Sequence, residues 1–218
     1  MTAAPQVPEH LPAPQRARLQ QGQRVATVGA QGDLVWHHWA PPAGAPRRSA
    51  PLVLLHGGSG SWTHWVRNIT ALLDAGFDVW AADLPGFGDS PALAGGNDAD
   101  AMVAPLAASM AAMFGAQPAD LVGFSFGGML AGLLLAEHPA LARRLVLVGA
   151  PAMGVVPGRQ FELKGWRHLP PAEQLAVHRH NLGVLMLHDA GKIDALALEL
   201  HVANVRRDRV PRRRLAHT

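Results

Sequence analysis

Between residues 52 and 148 the chain alternates short, continuously apolar runs with longer segments of helical spacing, and this alternation restricts the fold more than any other feature. The apolar runs are Leu52-Val53-Leu54-Leu55, residues 77–82, Leu121-Val122-Gly123-Phe124 and Leu145-Val146-Leu147-Val148. A run without polar alternation suits a strand covered on both faces. The segments between them, 62–75, 99–114 and 126–137, carry apolar residues at three- and four-residue steps, and Gly76 and Gly115 close the first two. Strand and helix in turn predict a parallel sheet with right-handed crossovers and helices on both faces, an α/β fold. Ahead of it, residues 24–29 and 33–40 are β-prone runs separated by Ala30-Gln31-Gly32, which predicts an antiparallel hairpin.

The rhythm divides the chain into three. Residues 1–23, with four prolines and little periodicity, are expected to be a flexible arm; 24–150 form the α/β core; and 151–218 form a helical region with amphipathic segments near 172–188 and 192–207. Gly183-Val184-Leu185-Met186-Leu187 also fits a buried strand. With 49% apolar and 16% charged residues, the chain excludes the disordered class. It has no cysteine, no apolar stretch of signal-peptide length near its start and no run of about twenty apolar residues, so the cytoplasm is the expected compartment and no membrane contact is expected. The net charge of +3 is a local matter. Residues 206–214 hold six arginines and one aspartate, leaving 13 basic against 15 acidic residues in 1–205, so a solvated helix end is expected and no nucleic-acid partner.

The chemistry is concentrated in two glycine-rich junctions. Gly123-Phe124-Ser125-Phe126-Gly127 lies where a predicted strand meets a predicted helix, the place at which a sharp turn lifts a serine hydroxyl above the sheet edge. His56-Gly57-Gly58-Ser59-Gly60-Ser61 follows the first parallel strand. Attack by a serine on a carbonyl creates an oxyanion, and backbone N–H groups in such a loop are suited to receive it; Gly58 and Phe126 are the expected donors. The loop lacks Gly-x-Gly-x-x-Gly because Thr63 fills the last position, and no Walker pattern occurs, which argues against nucleotide binding. Asp83-Leu84-Pro85-Gly86-Phe87-Gly88-Asp89-Ser90 is expected to be a structural turn. Twelve histidines include no His-Glu-x-x-His, so neither a metal nor another cofactor is expected.

These three motifs, in this order and spacing, resemble the α/β-hydrolase fold, firmly over 24–150 and more loosely over 151–218 as a helical cap. The resemblance implies a serine-dependent hydrolase acting on an ester or related carbonyl, including a carbon–carbon bond, through an acyl-enzyme at Ser125. It implies an oxyanion hole of Gly58 and Phe126 N–H, with Ser59 and Phe124 against the substrate. Within the family, the cap and the loop 56–65 resemble the hydrolases of meta-cleavage products, although Phe124 stands where those carry asparagine. The expected substrate is a small apolar ester or diketone, with Met153, Phe161, Trp166, Leu185 and Met186 as an apolar lining. In that family an acid and then a histidine follow the serine on later strands. No strand pair is legible after Val148, so those strands and the acid and base are expected to be missing. A catalytically incomplete fragment or a ligand-binding module is the alternative. An open sheet edge would also favour association of copies.

Overall fold

The computed structural model describes residues 4–30, 32–94, 98–151 and 162–210. Strands β1 (Gln23–Thr27) and β2 (Leu34–Trp39) form the antiparallel hairpin; β3 (Pro51–Leu55), β4 (Asp78–Asp83), β5 (Ala119–Phe124) and β6 (Ala142–Val148) are the apolar runs. Together they make one six-stranded sheet in the order β1-β2-β4-β3-β5-β6, with β2 antiparallel to β4 and the later pairs parallel. Winding thus proceeds from β3 to β4 on one side and then crosses to β5 on the other. Loops leaving the C-terminal ends of β3 and β5 part there, and such a switch point is where an open α/β sheet leaves a crevice.

Side-chain alternation along β3 separates two cores. Val53 and Leu55 pack with Leu34, Trp36, Met102, Leu106, Leu130 and Leu134, beneath α3 (Ala99–Phe114) and α4 (Phe126–Glu137). Leu52 and Leu54 face the opposite way, joining Leu19, Trp39, Trp62, Ile69 and Leu73 beneath α1 (Ala13–Leu19) and α2 (Ile69–Asp74). All five residues of β3 are buried. By contrast β6, an equally apolar run, lies at the sheet edge and leaves Val146, Leu147 and Val148 exposed.

Two expectations need correction. The segment 1–23 is not simply a flexible arm. Pro14 lies in the first turn of α1, where its missing N–H costs nothing, Leu11 and Leu19 are buried, and the Leu19 carbonyl accepts the indole N–H of Trp39 at 2.9 Å. Sparse apolar residues without periodicity are held by a tertiary contact that spacing does not disclose. Residues 62–75 form not one helix but a 3-10 turn (Trp62–Trp65) followed by the short α2, because the Ser61 side chain caps the turn at Thr63 N–H.

The C-terminal segment contains α5 (Pro171–Leu185) and α6 (Ala195–Arg207). Gly183 to Leu185 belong to α5, so the strand alternative falls away. Leu182, Ile193 and Leu198 close a small core between the two helices, with Met186 packed against it, while Leu185 faces solvent. These two side chains are therefore placed away from the expected lining role. Met153, Phe161 and the arginines at 212–214 lie outside the described residues.

Candidate functional site at the β3 and β5 loop ends

The turn from β5 into α4 is the most constrained part of the chain. Ser125 has φ 51° and ψ −117°, a left-handed backbone conformation that side chains rarely adopt. Neighbouring glycines make it possible. A Cβ on Gly123 would stand 2.5 Å from Gly128 Cα, and one on Gly127 would stand 2.5 Å from the carbonyl oxygens of both Leu55 and His56. Helix α4 is thereby drawn onto the ends of β3 and β5. The Ser125 N–H donates to the Val148 carbonyl at 2.8 Å, and its carbonyl accepts from Gly128 and Met129 N–H, which locks the turn on both sides.

The loop after β3 runs alongside. A Cβ on Gly57 would lie 3.3 Å from Ser125 Cβ, and one on Gly58 would lie 3.8 Å from Phe126 Cβ. Phe126 is the first residue of α4, whose leading N–H groups have no partner within the helix and carry the positive end of its dipole. Neither Gly58 N–H nor Phe126 N–H donates to another described residue. The structure therefore brings Ser125, Gly58 and Phe126 together. Phe124 is half-buried and its ring meets that of His64 edge-on at 5.7 Å. Ser59, the other described non-glycine residue of positive φ (50°), does not present a free hydroxyl, since its Oγ donates to Asp208 at 2.5 Å.

Histidines near this junction act as braces. His56 is wholly buried; its Nδ1 is 2.7 Å from the Gly57 carbonyl and its Nε2 accepts the Leu84 N–H at 2.9 Å, so the neutral tautomer joins the loops after β3 and β4. Burial lowers its pKa against the pull of Asp83. The Nδ1 of His64 accepts the Gly57 N–H at 3.3 Å, and burial, with His56 and His201 nearby, depresses its pKa to about 3. Such a ring is a poor proton acceptor. Among the described residues, no histidine or carboxylate is hydrogen-bonded to Ser125 Oγ.

His37, Asp83 and Asp89 are the described group whose donor atoms converge as a metal site would require. The converging atoms are already engaged, while the buried His37 Nδ1 has no partner among the described residues. Asp83 accepts from His37 Nε2 at 3.0 Å and from Trp62 and Asp89 N–H at 2.7 and 2.8 Å, and Asp89 is paired with Arg24 and Arg207. Burial raises the Asp83 pKa, but the hydrogen bonds from His37 and from the Asp89 N–H outweigh it and leave it below the usual value. The loop 83–90 is thus a hydrogen-bonded turn.

Comparison with known proteins agrees with this geometry. A family model described as the alpha/beta hydrolase fold matches residues 50–185. The chain belongs to the α/β-hydrolase family. Similar curated members of the family include a 2-hydroxy-6-oxononadienedioate/2-hydroxy-6-oxononatrienedioate hydrolase of a Pseudomonas species, 30% identical over 106 residues. A 2-hydroxy-6-oxo-6-phenylhexa-2,4-dienoate hydrolase of Comamonas testosteroni is 31% identical over 106 residues. Each match covers 47% of this chain and 37% of the relative, so the matched region is little more than a third of those proteins' length. Among solved structures, the esterase RhEst1 from Rhodococcus sp. ECU1013 superposes with a TM-score of 0.64 at 27% identity, over 84% of this chain and 68% of that one.

For this α/β-hydrolase, motif reading locates Ser125, Gly58 and Phe126 but misses what holds them. Asp208 and Asn204 reach the loop after β3 from α6 and its end, across 149 and 143 residues of sequence. No local pattern marks them. The one available signal is the excess of small polar residues in Ser59-Gly60-Ser61-Trp62-Thr63, each of whose hydroxyls needs a partner when covered.

Proposed function

We propose that the chain is the nucleophile-bearing part of a serine hydrolase for small ester or diketone substrates. In this reading Ser125 Oγ attacks the substrate carbonyl carbon, and the oxyanion is received by the N–H groups of Gly58 and Phe126. The leaving group departs with a proton, and water releases the acyl group from Ser125. The observation that carries it is the conjunction of a left-handed Ser125 with two unengaged N–H groups beside it. Backbone strain at one residue is maintained where the surroundings demand it, and here they aim a hydroxyl at an anion-stabilising corner. Among the described residues none is hydrogen-bonded to Ser125 Oγ as a proton acceptor. The names of the curated relatives favour a vinylogous diketone acid, and that of the solved esterase favours an ester. The helices α5 and α6 serve as the cap over the site.

The test is reaction with a fluorophosphonate followed by peptide mass spectrometry, together with hydrolysis of p-nitrophenyl acetate. Label on Ser125, and an esterase rate above buffer that disappears in Ser125→Ala, support the reading. With no base bonded to Ser125 Oγ among the described residues, the rate is expected well below that of a complete triad. Equal rates for both proteins sink it. That no described histidine or carboxylate is bonded to Ser125 Oγ favours a second reading, a hydrolase-like binding module, in which an apolar ester binds saturably and Ser125 takes no label.

A further inference from the structure

The end of α6 and the residues after it form a strap across the loop after β3, which runs beside Ser125, and the loop after β4. Asn204 is buried; its Oδ1 accepts from Ser61 Oγ at 2.8 Å and its Nδ2 donates to Thr63 Oγ1 at 3.0 Å. Arg207 donates to the Gly88 carbonyl at 3.2 Å and pairs with Asp89. The Arg209 N–H donates to the Gly86 carbonyl at 3.0 Å, and its guanidinium reaches the Gly88 carbonyl at 3.1 Å and the Ser90 carbonyl. Between these anchors Asp208 holds Ser59: one carboxylate oxygen accepts the Ser59 hydroxyl, and the other accepts the Val210 N–H at 2.9 Å.

Ser59 follows Gly58 directly and stands at φ 50°, where a residue with a Cβ is strained by roughly 1–2 kcal/mol. A charge-assisted hydrogen bond is among the few interactions strong enough to hold it there. Without that bond the residue relaxes toward negative φ, and the Gly58 peptide turns with it. We propose that Asp208 is a positioning residue for the oxyanion site, keeping the Gly58 N–H aimed beside Ser125 through Ser59, so that readiness for catalysis depends on the strap being seated. This rests on the reading of Ser125 as nucleophile and adds to it a dependence on a residue 149 positions from Ser59. Asp208 is half-buried at the loop rather than at Ser125, so it acts through geometry and touches no reacting atom.

Two measurements on the whole chain separate the claims. The first is the rate of fluorophosphonate labelling in the wild type, Asp208→Asn, Asp208→Ala and Ser59→Gly. Asparagine still accepts from Ser59 and is expected within about threefold of wild type, whereas alanine labels at least tenfold more slowly at unchanged saturation concentration. Glycine tolerates positive φ without the hydrogen bond and falls between them. The second is hydrogen exchange of residues 56–63, expected to quicken in Asp208→Ala and not in Asp208→Asn. Equal labelling in wild type and Asp208→Ala overturns the inference, as does unchanged exchange in that loop. A wild type that takes no label overturns the nucleophile reading, and the exchange data then still decide whether Asp208 holds the loop. Should Asp208→Ala fail to fold, Ser59→Gly and Ser59→Ala carry the same comparison, with alanine the slower.

Discussion

Strands β3 and β6 read almost identically in sequence, Leu52-Val53-Leu54-Leu55 against Leu145-Val146-Leu147-Val148, yet they live in opposite surroundings. β3 has β4 on one side, β5 on the other and helices over both faces, and every residue of it is buried. Among the described residues β6 has only β5 beside it, and Val146 keeps 53% of its surface exposed. Burial is a property of neighbours, and neighbours are set by topology rather than by the run itself. The difference also organises the site. Ser125 is clamped where the two environments meet, pressed against β3 through Gly127 and tied to β6 through the Val148 carbonyl.

Several substitutions probe how deep this difference goes. The largest effect is expected for Leu54→Ala, which removes about 4 kcal/mol from a site that is 1% exposed, against about 0.5 kcal/mol for Leu147→Ala at 40% exposure. Urea denaturation of both measures the gap, and equal losses would erase the distinction. Next comes Gly127→Ala, expected to cost about 3 kcal/mol because its Cβ meets two backbone carbonyls that have no room to move. Gly149→Ala at the end of β6 meets a positive φ (56°), which Gly127 does not have, but open space around it, and is expected to cost about 1 kcal/mol.

Acid separates the two regions more gently. His64 and His201 have folded pKa values of about 3 and about 4, mainly because burial disfavours their charged forms. The unfolded chain therefore takes up protons that the folded one refuses, and stability falls as pH drops from about 6.5 toward 4. Melting curves across that range should show the midpoint falling, with a shallower slope in His64→Gln. At the edge, the hydrogen bond and charge of Arg143 on β6 hold the Asp120 carboxyl of β5 below its usual pKa. That contribution is present at neutral pH and is lost only below about pH 4, so Asp120→Asn should lower the midpoint evenly between about pH 6.5 and 4 and leave the slope there unaltered. The smallest effect on stability is expected for Val146→Lys with Val148→Lys, at most about 0.5 kcal/mol. Sedimentation should nevertheless show less concentration-dependent association, since charge on an edge strand blocks pairing.

What could be read from the chain follows the same division. The order of β3, β4, β5 and β6, the turn at Ser125 and the glycines beside it were legible because each depends on a few consecutive residues: a run without polar alternation, or a Cβ that would not fit. The burial of Leu19 under Trp39 was not, nor was the division of 62–75 into two pieces, because one depends on a contact across 20 residues and the other on the Ser61 hydroxyl choosing Thr63. For the candidate site, motif spacing finds Ser125, Gly58 and Phe126, which the fold brings together. It is blind to Asn204 and Asp208, whose roles exist only once α6 has been laid across the loop.

The left-handed Ser125 has a consequence for anyone selecting variants of this protein by heat alone. Glycine adopts φ 51° without the penalty that serine bears, and so Ser125→Gly is the expected winner of such a screen, more robust but without the hydroxyl that the proposed reaction needs. Thermal tolerance and the hydroxyl are rival demands at this one position, and selection that rewards only the first will discard the second.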